Sequence, residues 1–364
     1  MRSYTETEHQ RTRVAAGWPA GGRKRSRLYA LAGLALGLLV AVVGATFLGS
    51  VSLPLATVSS VLLSGLPFID ADPAWPTGLE TIVLNIRLPR VMEAGVVGAA
   101  LALAGATYQG LFRNPLADPY LIGVAQGAAL GATVAFLTPL AALFPGDIAI
   151  PLFAFAGALA AVSVVYAVAR VGRSLPLTTL ILAGVAVGVF LSAVTSSIML
   201  YSGSDLRHIL FWLLGGFSLA NWGEVGIIVP YVVLGTVVIL AFSRSLNVLQ
   251  LDEEQAQQLG VEVGKVKLIL MVAATMITAA AVSFAGTIGF VGIIVPHMVR
   301  LLWGPDHRFL LPLSVLSGAV FLIMADTLAR TAFSPHELPV GIVTAFAGAP
   351  FFLYLLRRRQ RLVF

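Results

Sequence analysis

Arg87-Leu-Pro-Arg-Val-Met-Glu-Ala-Gly-Val-Val-Gly-Ala-Ala-Leu-Ala-Leu-Ala-Gly-Ala-Thr-Tyr-Gln-Gly-Leu-Phe112 is the stretch that decides the fold. From Val91 to Phe112 its only charged side chain is Glu93. The run matches the ~20 helical residues that cross a ~30 Å hydrocarbon core. Lipid offers the backbone no hydrogen bonds, so such a run satisfies its N–H and C=O groups internally, as a helix. Gly95, Gly98 and Gly105 leave room for a neighbouring helix to approach closely. Lipid supplies no hydrophobic drive between helices, so close contact is what holds spans together.

Similar runs occur along most of the 364 residues, of which 58% are hydrophobic and 11% charged. Mean hydropathy is +0.92. A soluble domain carries about a quarter charged residues, and the alternating pattern of a membrane barrel is absent. The chain reads as an all-α membrane protein. Its spans are placed near 28–48, 91–112, 121–143, 148–170, 178–201, 223–243, 266–285, 287–303, 309–330 and 338–356. An even number of spans puts both termini on one side. With that side cytoplasmic, every Lys and Arg falls inside except Arg87, Arg90, Arg207 and Arg330, as the positive-inside rule requires. The net charge of +6 therefore orients a membrane protein and does not mark a nucleic-acid binder.

Residues 1–27 read as a disordered basic cytoplasmic tail, and 28–364 as the membrane domain. The run after Arg27 is too long for a signal-peptide core and ends without an A-x-A-like site, so it is read as a retained span. Two connections are long. Residues 49–90 lie outside, with Pro54, Pro67, Pro73, Pro76 and Trp75, an interfacial anchor. Residues 244–265 lie inside. There Leu251, Ala256 and Leu259 fall close to one face of a short helix, Asp252, Glu253 and Glu254 load its first turn, and Gly260 stops it.

Little in this sequence carries chemistry. There is no cysteine, which excludes disulfides and thiolate metal sites. No phosphate-binding G-x-x-x-x-G-K-[ST] loop occurs, since Gly264-Lys265 is followed by Val266, so this chain is not expected to hydrolyse ATP. Five histidines do not cluster: His9 is in the tail, His297 and His307 flank a cytoplasmic turn, and His208 and His336 face outward. Ion-coupled carriers place ionisable groups at mid-depth. Here Glu93 and Asp326 lie toward the outer ends of their spans, where Glu93 is expected to pair with Arg90 and Asp326 with Arg330. A secondary transporter is the rival class, and it lacks that mid-membrane site.

Several motifs occur in a fixed order. They are Arg87-Leu-Pro-Arg90, Gly98-Ala-Ala-Leu-Ala-Leu-Ala-Gly105, Gln109 to Pro119, Leu182-Ala-Gly-Val185, Trp212-Leu-Leu-Gly-Gly216, Ala256-Gln-Gln-Leu-Gly260, Gly286 to Gly292 with Pro296-His297, and Asp326…Arg330 before Glu337-Leu-Pro-Val-Gly341. From about residue 28 to the C-terminus this resembles the permease subunits of the ferric-siderophore, haem and cobalamin ABC importers. Gln126 departs from the resemblance, because relatives more often carry a small hydroxyl residue or Asn there.

The resemblance implies a bundle of about ten transmembrane helices like the cobalamin-importer permease. It implies a homodimer in the bacterial cytoplasmic membrane, two cytoplasmic ATPase subunits that carry ATP and Mg, an external substrate-binding protein, and no cofactor on this chain. It implies that Arg87, Arg90 and Arg330 dock the binding protein. It assigns the coupling segment, about 250–264, to the ATPase through Asp252, Glu253, Glu254, Ala256, Leu259 and Gly260. It places a cytoplasmic gate at Thr178 and Thr179. Asn114-Pro115 through Asp118-Pro119 reads as a rigid inner turn or simply as a helix stop and cap. Ferric siderophores lead as cargo, with cobalamin and haem open.

Overall fold

A computed structural model describes residues 20–49, 53–64, 75–139, 143–144, 148–170, 172 and 176–360. The described residues are helical throughout, joined by short turns. Helix α1 (Ala20–Phe47) begins earlier than expected. Residues 20–27, assigned to the tail from sequence, continue it as helix. Ala, Arg, Lys and Leu are strong helix formers, and Arg27 is anchored by bonds to the Trp303 carbonyl and to Asp306. Residues 1–19 lie outside the described residues.

The outer connection carries helix α2 (Leu55–Ser64) and then α3 (Thr77–Thr81). Helix α3 runs through a π-helical stretch, Ile82–Arg87, into α4 (Leu88–Leu111). The second span therefore starts well before Val91. Pro89 has no N–H to return to the preceding turn. The wider i→i−5 register just before it, closed by the Leu88 N–H on the Val83 carbonyl, accommodates that gap. The Leu84 carbonyl accepts the Trp222 indole N–H at 2.8 Å. Trp75 packs with Val58, Val61 and Val83 in a small outer cluster.

The remaining helices are α5 (Val124–Leu137), α6 (Ala149–Ala169), α7 (Leu177–Met199), α8 (Leu206–Leu214) and α9 (Trp222–Ala241). They continue as α10 (Ser243–Val248), α11 (Glu253–Gln258), α12 (Val263–Ala285), α13 (Val291–Trp303), α14 (His307–Thr331) and α15 (Val340–Gln360). Each expected span has its helix. Among the described residues, seven are long and apolar enough to cross a membrane, while α5 and α13 are shorter than expected. Helix α5 loses its first turn to a 3-10 segment, Pro119–Ile122, and to Gly123 at φ +84°. Helix α13 begins only after Phe290, itself at φ 70°.

Helix α4 is the axis of the bundle, and nearly all of its residues are buried against α12, α13 and α14. Its glycines explain how this is possible. A Cβ on Gly98 would lie 2.3 Å from the Gly318 carbonyl oxygen of α14, and one on Gly105 would lie 2.0 Å from the Gly292 oxygen of α13. Gly127 and Gly157 bring α5 and α6 together in the same way. Helix α1, in contrast, is peripheral, and little of it is buried within the chain.

Four helix ends meet in one place. The Gly216 N–H donates to the Ala285 carbonyl at 2.9 Å, and the Tyr120 hydroxyl donates to the Ile288 carbonyl at 3.0 Å. Thr287 Oγ1 donates to the Leu213 carbonyl. Non-helical backbone persists at membrane depth only where it is enclosed by protein or lines a water-filled cavity. Here these groups are paired within the protein.

Candidate functional site

Beside these helix ends lies a cavity of about 630 Å³. It is lined by Gly215, Gly216, Ser283 and Ala285, by Phe211, Trp212 and Phe284, and by the titratable groups of Arg90, Glu93, Arg207, His208, Glu224 and Glu337.

One side of the cavity is an ionic network. The Arg90 guanidinium donates to both carboxylate oxygens of Asp326, 2.9 Å at the closest, and through Nη1 to Glu337 at 2.8 Å. Arg330 meets the same Asp326 at 3.4 Å and donates to the Ala45 carbonyl at 2.8 Å. Arg87 donates to the carbonyls of Thr46 and Phe47, at 3.1 and 2.9 Å. Gly49 lies against this guanidinium, with the position of a Cβ there 2.7 Å from the Arg87 guanidinium carbon. The network thereby ties the outer end of α1 to α4, α14 and the 332–339 connection. A buried charge is tolerable only when paired and hydrogen-bonded, and these bonds supply that.

The three arginines assigned to docking are thus brought together, but not on an outward face. Arg87 and Arg330 are 5% and 3% exposed and are turned inward onto α1. Of the three, Arg90 lines the cavity. The expected Asp326–Arg330 pair exists, yet Arg90 makes the shorter bonds to that carboxylate. Glu93 bonds to Glu224 of α9 and not to Arg90 as expected.

The polar connection before α12 forms α10 and α11, joined by residues 249–252. Asp252 stands just before α11 and meets Arg113 at 3.4 Å, while Arg113 Nε also donates to the Leu249 carbonyl. Glu253 pairs with Lys267 of α12, and Glu254 is exposed. Gly260, at φ +82°, stops the helix as expected. The expected apolar face is only partly realised. Ala256 is fully buried, whereas Leu251 and Leu259 are 44% and 63% exposed. Leu251 and Leu259 lie outside the six-residue helix, Glu253–Gln258, so they do not share the buried face of Ala256. Thr178 and Thr179 occupy the first turn of α7, Thr178 exposed and Thr179 half-buried.

Asp118 caps the turn before α5, accepting the Tyr120 N–H at 2.7 Å, and Asn114 Oδ1 accepts the Leu116 N–H at 3.0 Å. This is the stop-and-cap arrangement. Enclosure pushes the Asp118 carboxyl up to about 6, against the pull of the Tyr120 bond.

The FecCD transport family model matches residues 37–358. The chain belongs to this family. Relatives include the cobalamin import system permease protein BtuC of Halobacterium salinarum, 50% identical over 285 residues (78% of this chain, 76% of that one). The hemin transport system permease protein HmuU of Yersinia pestis is 39% identical over 350 residues, 93% of this chain and 98% of its own. The Fe(3+)-citrate import system permease protein YfmD of Bacillus subtilis is 42% identical over 289 residues (79% and 85%). A solved inward-facing metal-chelate type ABC transporter superposes with TM-score 0.76 and 31% identity, covering 91% of this chain and 99% of that one. FecCD chains are transport subunits, and separate ATPase subunits hydrolyse the ATP.

Within this FecCD chain, sequence reasoning missed Glu224 and Glu337 as members of the outer site. Glu224 reads as an ordinary first-turn acid of α9, and Glu337 lies in a connection. No local spacing links either to Arg90 or Glu93. Helix α8, which walls the cavity, was also missed. Leu206, Ile209, Leu210, Leu213 and Leu214 carry its helical periodicity and were legible.

Proposed function

We propose that this chain is the membrane-spanning permease of an ATP-driven importer for a bulky metal chelate in the bacterial cytoplasmic membrane, with a ferric siderophore as its first candidate cargo. The family match over residues 37–358 carries the reading. The relatives named for cobalamin, hemin and ferric citrate support the cargo class and leave cobalamin and haem as alternatives.

Two copies work as a homodimer with both termini cytoplasmic, using the apolar stripe on α7 that the single chain leaves open. An external binding protein docks over the outer cavity. There a glutamate of the binding protein displaces the 31%-exposed Glu337 from Arg90, while Arg87 and Arg330 hold that guanidinium's surroundings in place. Two cytoplasmic ATPase subunits, which bind ATP and Mg, engage Asp252, Glu253, Glu254, Leu259 and Gly260, with Ala256 packing the coupling helix onto the bundle. Exposed Leu251 and Leu259 supply apolar contact for that partner. Nucleotide-driven movement of α11 reaches α12 through the Glu253–Lys267 pair, and Thr178 and Thr179 close the passage on the inner side.

The deciding experiment is uptake into proteoliposomes containing this chain with its own ATPase and binding protein. ATP-dependent accumulation of labelled ferric siderophore, persisting without a proton gradient and unaffected by cobalamin or haem, is the expected result. Transport of cobalamin or haem instead overturns the cargo, and uptake that needs an ion gradient and no ATP overturns the class.

A further inference from the structure

Arg300 belongs to the last turn of α13 and is half-buried. Its Nη1 is enclosed and has no hydrogen-bond partner among the described residues, and none of their ion pairs includes it. The groups around it are committed elsewhere. Asp306, the nearest acid in sequence, accepts from Arg27 at 3.4 Å, from Asn247 at 2.8 Å and from the Arg308 N–H at 3.1 Å. The Trp303 carbonyl takes Arg27 Nε at 3.1 Å, and the His307 ring turns its Nδ1 to the Asn247 side-chain oxygen at 2.9 Å. A guanidinium stays protonated in a protein, and an enclosed charge without a counter-ion is costly. The anion that Arg300 needs is not supplied by this chain.

The depth of the turn between α13 and α14 indicates which anion. Tyr29 on α1 and Tyr354 on α15 are exposed, and Trp303 ends α13 half-buried. All three lie level with Arg300. Tyr29 is two residues beyond Arg27, which bonds to the Trp303 carbonyl. The rings of His297 and Phe351 meet at 6.2 Å, and Arg300 and Tyr354 each follow by three residues on helices that run the same way. Trp and Tyr collect where hydrocarbon gives way to headgroups. Met298, Leu301 and Leu302 are exposed on α13, as on a surface that meets acyl chains. Arg25 and Arg308 are exposed beside the turn, which carries one acid, Asp306. A phospholipid phosphate sits at this depth and matches the planar N–H fork of a guanidinium. Basic pockets between spans are where anionic headgroups bind.

We propose that the turn between α13 and α14 is a binding site for an anionic phospholipid, with a phosphate oxygen on Arg300 and the acyl chains against Leu301 and Leu302. Arg25 and Arg308 supply the surrounding positive field. The site requires only that the chain is set in a membrane, so it stands or falls apart from the transport reading.

The test uses the purified full chain, delipidated in detergent, with phosphatidylglycerol, phosphatidylcholine and inorganic phosphate as probes. Native mass spectrometry reports bound lipid, and the melting temperature reports stabilisation by ligand. Phosphatidylglycerol is expected to bind at least fivefold more tightly than phosphatidylcholine, and inorganic phosphate to leave the melting temperature unchanged. Arg300→Gln should lose the preference. Arg308→Gln should weaken phosphatidylglycerol binding about fivefold, the effect of one basic residue at an anionic lipid surface. Because Arg300 has no partner within the chain, lipid-free Arg300→Gln should melt no lower than the parent. A lipid-free Arg300→Gln chain that melts lower, or fails to fold, overturns the proposal by revealing a structural arginine. Equal binding of phosphatidylcholine overturns it in favour of an apolar lipid contact. Equal stabilisation by inorganic phosphate overturns it in favour of a free-anion site. A preference untouched in folded Arg300→Gln leaves the guanidinium to a carboxylate of a partner subunit and overturns it as well.

Discussion

Asp326 is the residue on which the outer network turns, because one carboxylate serves two arginines. Asp326→Asn keeps the shape and removes the charge, leaving Arg90 and Arg330 without their shared counter-ion in a buried place. Removing one partner of a buried pair costs about 3–5 kcal/mol. The expected outcome is a loss of that order in the unfolding free energy of the purified chain, measured by denaturant titration in detergent. Glu337→Gln should cost about 1 kcal/mol or less, since partly exposed pairs contribute little. Equal effects at the two positions would show that the network is not organised around Asp326. Sequence reading expects Arg87, Arg90 and Arg330 on the outer side from the charge distribution between spans. It could not read their partners. Asp326 and Arg330 are four apart and pair by helical spacing, but Arg90 reaches Asp326 across 236 positions of sequence. Only the tertiary approach of α4 to α14 makes that bond.

At the scale of the element, the existence of each span was legible and its ends were not. Hydropathy measures how long an apolar run is, but not where a left-handed residue such as Phe290 or a proline such as Pro89 interrupts the helical register. The glycine spacing in α4 was read correctly as a close-packing surface, though which helices it meets had to come from the structure. Gly105→Val puts side-chain atoms where the Gly292 backbone already lies. Backbone cannot yield as a flexible side chain does, so the expected cost is about 3 kcal/mol or more, read as loss of folded chain from detergent extracts. The proposed coupling element gives the opposite expectation. Leu259 is exposed, so Leu259→Glu should leave the melting temperature within about 2 °C, consistent with the small effects of exposed positions. It should also lower binding-protein-stimulated ATP hydrolysis by at least fivefold. A normal ATPase rate in that variant would remove α11 from the coupling path. Asp118 adds a pH dependence at the turn before α5. Its folded carboxyl titrates near 6, above its ordinary 3.8. The protonated form is thus favoured by folding, and this contribution is full below about 4 and lost as pH rises through 6. Asp118→Asn should flatten that segment of the stability–pH profile.

At the scale of the whole molecule, the open question is which surface meets a second copy, and exposed apolar side chains alone do not answer it, because lipid covers them equally well. Helix α7 offers more than exposure. Thr178, Leu182, Val185 and Val189 recur at helical spacing on its open face, with Leu182 65% and Val189 66% exposed. Leu180, Ala183, Gly184 and Gly188 are buried on the inner face. The stripe therefore carries Thr178, proposed above as part of the inner closure, together with the apolar surface, the arrangement needed if the passage runs between two copies. Because the chain has no cysteine, single-cysteine variants report this directly. In a two-fold dimer a residue near the axis faces its own copy, and a disulfide forms only when the two Cα atoms come within about 7 Å. Val185→Cys should therefore give an oxidant-dependent crosslinked dimer in membranes. Leu234→Cys on α9, more exposed at 67% than Val185 at 52%, should stay monomeric on the same gel. The reverse pattern would move the dimer interface to α9 and take Thr178 and Thr179 away from the passage. Crosslinking at neither position would place the interface elsewhere on the bundle. If Val185→Cys crosslinks, Thr178→Cys becomes informative: crosslinking there that falls when nucleotide opens the inner side would identify the first turn of α7 as the part of the passage that moves.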